Sequence, residues 1–549
     1  MKKQILIGVD LFEKVIEGDF FYIDKTLFIK ELLENRGDVT LITRPRRFGK
    51  TMNMSMLRTF FDVHRDGKRY FNGLKIMEYP DIIDKYLNKN PVIFMTLKNI
   101  SADNFNDAFY RIRSLISTIY QQFLYLYESD ILDERKKKDF YKYYDKVATA
   151  VELRESLQFL STCLQTYHKK RVIILIDEYD APIDNAYRKG FYPDMIDFMR
   201  DFLGSVFKSN DFLEFGVLSG VLRIAKESLF SSFNNPKIYG IMNKPLSTSF
   251  GFTEEEVKES CEIYDIPDNF EEVKKWYDGY RFGGQEIYNP WSITNYLKDL
   301  EIDDFWINTG SIQILKDVFY KGDNSLKDDF AKLLTGSTIS MSLEESFSYP
   351  IHYVTSDKFW SLMLNAGYIK PCNGAKKEAF NAEFVNLEVK YFFNKNAREW
   401  LRLKRSEISN IIIEFVDYLR EGDVEKVSAI LNNELLNNPS CHDFKRENSY
   451  HMFIYGILLA TSNDYTVYSN LESGKGRSDC LIKPDDKSKH AIIIEFKHVK
   501  DASNLKEEAI NGLKQIEEKA YIHTLKKEGY ENIRKYSIAF YKKKCEVVS

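Results

Sequence analysis

The sequence predicts an α/β protein, with a mostly parallel sheet in its first half and a smaller α/β domain at its end. Residues 1–285 alternate short apolar runs with longer helical segments, which is the pattern of a layered α/β fold. A chain of 549 residues is too long for one hydrophobic core. We therefore expect three domains, at 1–285, 286–440 and 441–549.

The elements of the first domain follow from the spacing of its apolar residues. Helical periodicity predicts helices over Met52–Phe61, Asn106–Leu126 and Leu153–Tyr167. Short aliphatic runs predict strands at Val39–Thr43, Val92–Leu97, Arg171–Ile176 and Phe215–Ser219.

The middle region begins with a helix start signal. Asn289-Pro290-Trp291-Ser292 is typical of a helix N-terminus, because Asn caps a helix and Pro suits its first turn. Phe359–Ala366 followed by Gly367-Tyr368-Ile369 indicates a helix, a turn and a strand. Two interpretations stay open for this region, a small winged-helix unit and a helical lid.

The last hundred residues indicate a compact α/β module. The pattern predicts helices at Ser449–Thr461 and Leu505–Tyr521, and strands at Thr466–Tyr468, Asp479–Ile482, Ala491–Phe496 and Tyr536–Tyr541.

Composition limits the classes of partner and compartment. Seventy-eight basic residues against 82 acidic ones give a net charge of −4, so any nucleic-acid contact must be a local patch. The six cysteines are widely spaced, which favours reduced thiols in a cytoplasm over metal ligands. Met1–Asp10 is a poor signal peptide, and no run reaches the roughly eighteen apolar residues that span a bilayer. We expect a cytoplasmic protein with no membrane contact.

A phosphate-binding loop is the first chemical signal. Gly49, Lys50 and Thr51 follow a predicted strand and open a predicted helix, where backbone N–H groups, a lysine and a Mg²⁺-ligating hydroxyl can meet a nucleotide. The pattern lacks its usual first glycine, because Arg44 stands there.

An acidic pair, Asp177-Glu178, ends the third predicted strand. Asp177 is the candidate to hold Mg²⁺ through water, and Glu178 is the candidate general base. Ser219, at the end of the fourth strand, is a candidate to position the attacking water or an ordinary strand-end serine. Arg223 and Arg281 are candidates for the γ-phosphate charge, with surface ion pairs as the alternative.

A second site is indicated by Asp479, Glu495 and Lys497. Side chains two apart on a strand share a face, so Glu495 and Lys497 can meet one metal-bound phosphate. Phosphodiester hydrolysis needs such a metal, held here by Asp479 and Glu495, and a cation near the developing charge. The alternative is a surface ion pair between Glu495 and Lys497 on an edge strand.

Four motifs in order resemble those of the bacterial AAA-ATPase-like family, whose members often carry a C-terminal PD-(D/E)XK nuclease domain. They are Phe21-Tyr22-Ile23-Asp24-Lys25-Thr26, Arg44-Pro45-Arg46-Arg47-Phe48-Gly49-Lys50-Thr51, Ile176-Asp177-Glu178-Tyr179-Asp180-Ala181-Pro182 and Trp276-Tyr277-Asp278-Gly279-Tyr280. The resemblance implies a P-loop NTPase sheet with helices on both faces and a restriction-endonuclease-like C-terminal domain.

The resemblance also implies further site residues. An arginine-rich loop is usual in the family, so Arg46, Arg47 and Phe48 join the nucleotide-binding set, and the two arginines are candidates for phosphate or homo-oligomer contacts. In the second site, Glu447, which shares a helix face with His451, is implied as an extra metal contact. Gln515 and Tyr521 resemble the Gln and Tyr that some of these nucleases place beside the site.

These expectations combine into a protein that binds and hydrolyses ATP with Mg²⁺ and whose C-terminal domain cuts DNA, in preference to RNA, under ATP control. The alternative is an ATP-dependent switch whose C-terminal domain binds nucleic acid or a protein partner without cutting. A small-molecule kinase is disfavoured, because nothing in the sequence indicates an acceptor-substrate pocket.

Overall fold

The computed structural model divides the chain into two compact units, Met1–Lys321 with Met341–Ala379, and Gly322–Ser340 with Phe380–Ser549. Residues 286–440, expected as one middle domain, contribute to both units, and the domain boundaries at 285 and 440 stay a prediction. The residues described are 2–208, 210–224, 229, 236–266, 270–306, 313–322, 324–334, 336–344, 354–372, 379–400, 410–437, 454–455, 458, 465–473, 476–518 and 521–549.

A five-stranded parallel sheet forms the centre of the first unit, in the order β2-β3-β4-β1-β5. Every residue of the strands Val39–Thr43 and Val172–Asp177 is buried. Because successive side chains point to opposite faces, both faces of the sheet are covered, as expected for the predicted fold class. The strands are β1 (Val39–Thr43), β2 (Val92–Thr96), β3 (Val172–Asp177), β4 (Leu213–Gly220) and β5 (Lys237–Tyr239).

The sequence patterns located four of these strands to within two residues, and missed β5. Strand β4 lies between β1 and β3, with Ile42 paired to Ser219 and Ile176 paired to Leu218. Since parallel strands have their carboxyl ends on the same side of the sheet, the loops that follow β1, β3 and β4 lie next to one another.

Helices surround this sheet. The predicted helix at Asn106–Leu126 is two helices, and the start signal at Asn289 is confirmed, because its side chain accepts hydrogen bonds from the backbone N–H groups of Trp291 and Ser292. The described α-helices of this unit are Phe12–Glu17, Leu27–Asn35, Lys50–Phe61, Gly67–Phe71, Pro80–Tyr86, Phe105–Gln122, Leu124–Glu128, Glu134–Tyr144, Ala150–Arg154, Ser156–His168, Ala181–Lys189, Tyr192–Phe207, Glu254–Ile263, Phe270–Tyr277, Pro290–Asp299, Gln313–Phe319 and Ser356–Ala366, with a 3₁₀ turn at Lys75–Glu78.

The helix that follows the phosphate loop is anchored by its apolar face. Leu57, Phe60 and Phe61 lie in one buried cluster with Leu175 of β3 and Val217 of β4. Burying a side chain of this size contributes about 1.5–3 kcal/mol. The loop therefore begins on a buried strand and ends on a firmly packed helix.

The middle region is mainly helical, as predicted, with short strands. The helix Ser356–Ala366 ends at Gly367, whose φ of 88° is left-handed, and a strand follows at Ile369. This confirms the predicted helix, turn and strand, whereas the choice between a winged helix and a lid stays a prediction. The strands here are β6 (Tyr280–Phe282), β7 (Gln285–Ile287), β8 (Ile339–Met341) and β9 (Ile369–Pro371).

The second unit is built on a mixed sheet, in the order β11-β12-β13-β14-β15. Strands β13 and β14 are parallel, and the other neighbours are antiparallel. The strands of this unit are β10 (Phe380–Phe384), β11 (Tyr465–Ser473), β12 (Gly476–Pro484), β13 (Ala491–His498), β14 (Ile533–Tyr541) and β15 (Lys544–Val548).

The predicted helix at Leu505–Tyr521 corresponds to the helix Leu505–Glu518, and a further described helix begins at Tyr521. Most of the predicted helix at Ser449–Thr461 lies outside the described residues. The helices of this unit are Asn324–Leu334, Leu387–Trp400, Asn410–Glu421, Val424–Asn437, Leu505–Glu518 and Tyr521–Lys527, with a 3₁₀ turn at Ala502–Asn504. Within the described part of the chain, no helix is both long and apolar enough to cross a bilayer.

Candidate active sites

The phosphate loop has the backbone shape that an anion site needs. Gly49 caps the helix Lys50–Phe61 with a left-handed φ of 78°, and a Cβ there would meet nothing within 4 Å. The glycine is therefore required by backbone conformation and not by space. Arg47 is also left-handed, at a φ of 66°. The first N–H groups of the helix have no intrahelical partner, so they are available to an anion.

Lys50 is held at the loop rather than in solvent. Only 4% of the residue is exposed, and Nζ donates hydrogen bonds to the carbonyl oxygens of Arg44 (3.1 Å) and Pro45 (2.9 Å). Burial lowers the pKa of this amine, and the negative charges of Glu178, Asp177 and Asp180 oppose that effect. The charged amine of Lys50 is thus largely shielded from solvent and is hydrogen-bonded to the backbone of the phosphate loop.

Asp177, at the carboxyl end of β3, links that strand to the helix Lys50–Phe61 and to β4. Its Oδ2 accepts a 2.8 Å hydrogen bond from Thr51, and its Oδ1 accepts one from the hydroxyl of Ser219. Burial raises the pKa of this carboxyl, whereas the two hydroxyl donors lower it. Ser219 therefore contacts the aspartate in this structure, and its role in positioning a water stays a prediction.

Glu178 follows directly in a strained backbone conformation. Its φ is 52°, which is uncommon for a residue with a side chain and is often found at functional sites. The next residues hold it there, since Tyr179 N donates to Ser219 O and Ala181 N donates to Glu178 O, at 3.0 and 3.1 Å. Its side chain lines the same cavity as Lys50.

Arg44, at the position of the missing glycine, points into the protein interior. It is fully buried, and Nη1 donates to the carbonyl oxygens of Thr43 (2.8 Å) and Tyr239 (3.0 Å) while Nη2 donates to that of Leu246 (2.9 Å). Burial lowers the pKa of the guanidinium to about 9. Arg44 thus ties the end of β1 to β5 and to the segment after it.

The neighbouring arginines are exposed and line the cavity. The Arg47 guanidinium lies 4.1 Å from the centre of the Trp291 ring, a favourable cation–π contact. The backbone oxygen of Arg46 accepts a 3.0 Å hydrogen bond from the Trp306 indole. Both arginines are placed where a phosphate could reach them.

Phe48 is fully buried in an aromatic cluster as well as lining the cavity. Its ring lies 4.8 Å from that of Tyr280 and 5.1 Å from that of Phe282. Trp306 extends the cluster to Tyr368, at 5.1 Å between ring centres. We call these residues, 48, 280, 282, 306 and 368, the aromatic collar of the loop.

Tyr179 and Asp180 were quoted in a motif but not predicted as site residues. Asp180 Oδ2 accepts the backbone N–H groups of Val221 (2.9 Å) and Leu222 (2.8 Å), and the Tyr179 hydroxyl donates to Leu222 O at 2.6 Å. Burial raises the pKa of Asp180 to about 6. Both residues hold the segment after β4 against the acidic pair.

Arg223 lies in that same segment. Neither it nor Arg281 is among the described residues that line the cavity, and Arg281 approaches Glu286 at 3.4 Å. Their contact with a γ-phosphate stays a prediction.

The cavity between these groups measures about 570 Å³. Its polar lining includes the phosphate loop and Glu178, together with other charged residues such as Asp10, Lys25 and Arg188. Its apolar lining includes Phe252, Pro290, Trp291, Trp306 and Tyr368. A cavity of this size and mixed lining suits a small ligand that carries both charged and apolar groups.

The second site lies on the central strand of the mixed sheet. Glu495 is only 2% exposed, and β13 has neighbours on both sides, β12 and β14. The alternative of a surface pair on an edge strand is therefore wrong. Glu495 and Lys497 share one face, which the helix Leu505–Glu518 covers.

A closed triangle of hydrogen bonds joins three predicted residues. Lys497 Nζ donates to Glu495 Oε1 at 3.2 Å and to Gln515 Oε1 at 2.8 Å, and Gln515 Nε2 donates to the same Glu495 oxygen. A buried carboxylate needs such partners to be tolerated. The structure thus brings Glu495, Lys497 and Gln515 together, while their chemical roles stay a prediction.

Asp479 lies beside this triangle. Antiparallel pairing of β12 with β13 includes Cys480 opposite Ile494, and one further step places Asp479 across from Glu495. Asp479 Oδ2 accepts a 2.7 Å hydrogen bond from the backbone N–H of Phe496. The carboxylate is therefore anchored at the strand that carries Glu495 and Lys497.

The donor set fits a hard divalent cation in part. Mg²⁺ is commonly held by one or two carboxylates together with waters and phosphate oxygens, which Asp479 and Glu495 can match. Among the residues that the structure describes, no group of three or more His, Cys, Asp or Glu side chains is arranged to hold a metal. Glu447, the implied third contact, lies outside the described residues, as does His451. Tyr521 begins a helix, but its side chain also lies outside them.

Comparison with known proteins agrees with this arrangement. Residues 6–230 match the family model described as predicted AAA-ATPase, and residues 445–549 match that of the PD-(D/E)XK nuclease superfamily. The chain is also similar to an uncharacterized protein in the vnfD 5′ region of Azotobacter chroococcum mcd 1, with 25% identity over 537 residues, 95% of this chain and 93% of the relative. The chain therefore joins an AAA-ATPase-like domain to a C-terminal domain of the PD-(D/E)XK nuclease superfamily.

Proposed function

We propose that this protein binds and hydrolyses ATP with Mg²⁺ in its first unit and cleaves DNA with Mg²⁺ in its second, and that ATP controls the cleavage. The observation that carries the proposal is the buried Glu495 carboxylate, held by Lys497 and Gln515 beside Asp479 on a central strand. A purely structural core would gain nothing from a charge in that position. The proposed setting is the cytoplasm.

In the first site, the chain's own groups have separate tasks. The N–H groups after Gly49 and the amine of Lys50 bind the phosphates, and the exposed Arg46 and Arg47 add charge at the cavity, or contact a second copy of the chain. Thr51 and Asp177 would hold Mg²⁺, which supplies neutralisation of the phosphate charge. Glu178 accepts the proton of the attacking water.

In the second site, Asp479 and Glu495 would hold Mg²⁺, which polarises the scissile phosphate and acidifies water. Lys497 places a positive charge where negative charge develops on the phosphate. Gln515 fixes the positions of Glu495 and Lys497 relative to each other. A preorganised arrangement of this kind costs no reorganisation during the reaction.

Control by ATP requires contacts that differ between nucleotide states. The aromatic collar supports such control inside the first unit, because Tyr280 and Phe282 pack on Phe48 and the Trp306 indole donates to Arg46 O. A change in the loop on binding or hydrolysis would move these three collar residues.

The test uses purified full-length protein, duplex DNA, Mg²⁺ and ATP. We expect DNA cutting that is lost in Lys497→Ala, while that variant still hydrolyses ATP at the wild-type rate. Retained cutting in Lys497→Ala would refute the role of Lys497 in cleavage. Loss of ATP turnover in the same variant would refute the assignment of separate sites. Parallel assays with RNA decide the substrate.

A second candidate is an ATP-dependent switch whose C-terminal domain binds nucleic acid or a partner protein without cutting. One observation favours it: within the described ranges, the second site offers two carboxylates and no three-ligand metal cluster. Intact ATP turnover with DNA binding but no cutting in Mg²⁺ or Mn²⁺ is the outcome that selects this candidate.

A further inference from the structure

Ser537 lies next to the second site on the neighbouring strand. In the parallel pairing of β13 with β14, Ser537 is directly opposite Glu495 and Ala539 is opposite Lys497. Residues paired across neighbouring strands place their side chains on the same face. Ser537 therefore shares the face of the hydrogen-bonded triangle.

The hydroxyl of Ser537 is buried and has unused hydrogen-bonding capacity. The residue is 0% exposed, and its Oγ has no hydrogen-bond partner among the residues described. A serine hydroxyl can donate one hydrogen bond and accept two. Since nearly all buried polar side chains in folded proteins are hydrogen-bonded, an exception next to a candidate catalytic site calls for a functional explanation.

Gly512 explains how the covering helix accommodates this hydroxyl. A Cβ at Gly512 would lie 2.1 Å from Ser537 Oγ, 3.1 Å from Ser537 Cβ and 3.3 Å from Lys497 Cγ. The first distance is far below van der Waals contact, so any side chain at this position must move the helix or the serine. The helix Leu505–Glu518 thus packs closely against both Ser537 and Lys497 at Gly512.

The same helix supplies Gln515. Positions three apart on a helix lie on one face, so Gly512 and Gln515 both face the sheet. Gln515 reaches Glu495 and Lys497 from this face. A displacement at Gly512 would therefore be transmitted to the triangle.

We propose that Ser537 is a positioning residue of the second site, whose hydroxyl, without a partner among the described residues, hydrogen-bonds to the Glu495 carboxylate when that carboxylate holds a divalent cation. The absence of a side chain at Gly512 lets the helix Leu505–Glu518 pack over this hydroxyl. This inference rests on the metal site of the proposed function and is independent of ATP control. Side-chain groups of this kind, which orient a metal ligand, typically change metal affinity about 10- to 100-fold when removed.

The test measures Mn²⁺ binding by titration calorimetry on full-length protein without nucleotide. An Asp177→Asn background removes the contribution of the first site. We expect Ser537→Ala to bind Mn²⁺ about tenfold more weakly while its unfolding temperature stays within a degree or two, because the Cβ that packs on Gly512 is kept. The matched control is Thr466→Val, which removes another buried hydroxyl of the same sheet, on β11, and should leave Mn²⁺ affinity unchanged.

A second pair of variants separates packing from hydrogen bonding. Gly512→Ala should lower both Mn²⁺ affinity and the unfolding temperature. Adding Ser537→Gly removes the atoms that clash, so the unfolding temperature should partly recover while Mn²⁺ affinity does not. Recovery of both would show that packing alone matters and would overturn the role of the hydroxyl.

The outcomes also distinguish this inference from the proposed function. Unchanged Mn²⁺ affinity in Ser537→Ala, or no Mn²⁺ binding by the parent protein, overturns the inference. A tenfold loss of affinity in a protein that cuts no nucleic acid supports the inference and refutes the nuclease.

Discussion

The hydroxyl of Thr51 donates a 2.8 Å hydrogen bond to Asp177, across 126 positions of sequence. The phosphate loop and the acidic end of β3 are therefore joined by the protein's own side chains. Thr51 and Asp177 are also the residues proposed to hold Mg²⁺. This hydrogen bond therefore places the two proposed ligands next to each other.

Removing that hydroxyl should impair ATP hydrolysis. Thr51→Ala loses both the bond to Asp177 and a Mg²⁺ ligand, and we expect turnover to fall about 100-fold by steady-state phosphate release. Thr51→Ser keeps the hydroxyl and serves as the control, with turnover near wild type. Equal rates in Thr51→Ala and wild type would remove Thr51 from the site.

Glu178 should matter for the chemical step and not for binding. Glu178→Gln keeps the shape but cannot accept a proton, so we expect ATP to bind with wild-type affinity and turnover to drop about 10²–10⁴-fold. Binding is measured with a fluorescent ATP analogue and turnover by phosphate release. Unchanged hydrolysis would exclude Glu178 as the general base.

Gln515 should be needed for cleavage in the second unit. Gln515→Ala breaks two sides of the triangle, and we expect DNA cutting to fall about 10- to 100-fold. The control is Lys514→Ala, an exposed neighbour on the same helix, which should cut normally. ATP turnover should be unaffected in both, and a parallel loss in Lys514→Ala would point to helix disruption.

Asp180 should make stability depend on pH. Burial raises its folded pKa from 3.8 to about 6, so between these values the folded protein holds more protons than the unfolded chain. Stability from this residue is present below pH 3.8 and is lost as pH rises to 6. At about 1.36 kcal/mol per pKa unit, the loss is about 3 kcal/mol.

The check compares chemical denaturation of wild type and Asp180→Asn from pH 4 to pH 7. The asparagine oxygen can still accept the two backbone N–H groups, and we expect the variant to gain stability relative to wild type as pH rises. Asp278, whose pKa burial also raises to about 6, titrates in both proteins and cancels in the comparison. A pH-independent difference would contradict the assignment.

The indole bond to the loop should tune nucleotide affinity. Trp306→Phe keeps a ring in the collar but loses the 3.0 Å hydrogen bond to Arg46 O, worth about 0.5–1.5 kcal/mol. We expect the KM for ATP to rise about two- to tenfold with little change in kcat. A lower kcat at unchanged KM would place the effect on chemistry instead.

Local patterns were sufficient where neighbours in sequence decide the structure. The helix start at Asn289 follows from capping chemistry that acts within three residues. Glu495 and Lys497 share a face because the period of a strand is two, and the charge of Glu495 within the apolar Ala491–Phe496 run indicated a special environment.

Features that depend on distant contacts could not be predicted. Strand β5 is only three residues long and pairs with β1 through residues almost 200 positions away, which a periodicity of so few residues does not reveal. Ser219 contacts Asp177 because β4 lies between β1 and β3, and strand order is not encoded locally. Arg44 stands where the usual first glycine of the loop is missing, and the sequence did not indicate that three backbone carbonyls bind its guanidinium in the interior.

Two of the chain's five tryptophans touch the phosphate loop, Trp291 through the Arg47 guanidinium and Trp306 through the Arg46 carbonyl. Indole emission responds to nearby charge and to hydrogen bonding at its nitrogen. The molecule thus carries a built-in optical reporter, by which the arrival and departure of a ligand at the loop could be followed in real time without attaching a dye.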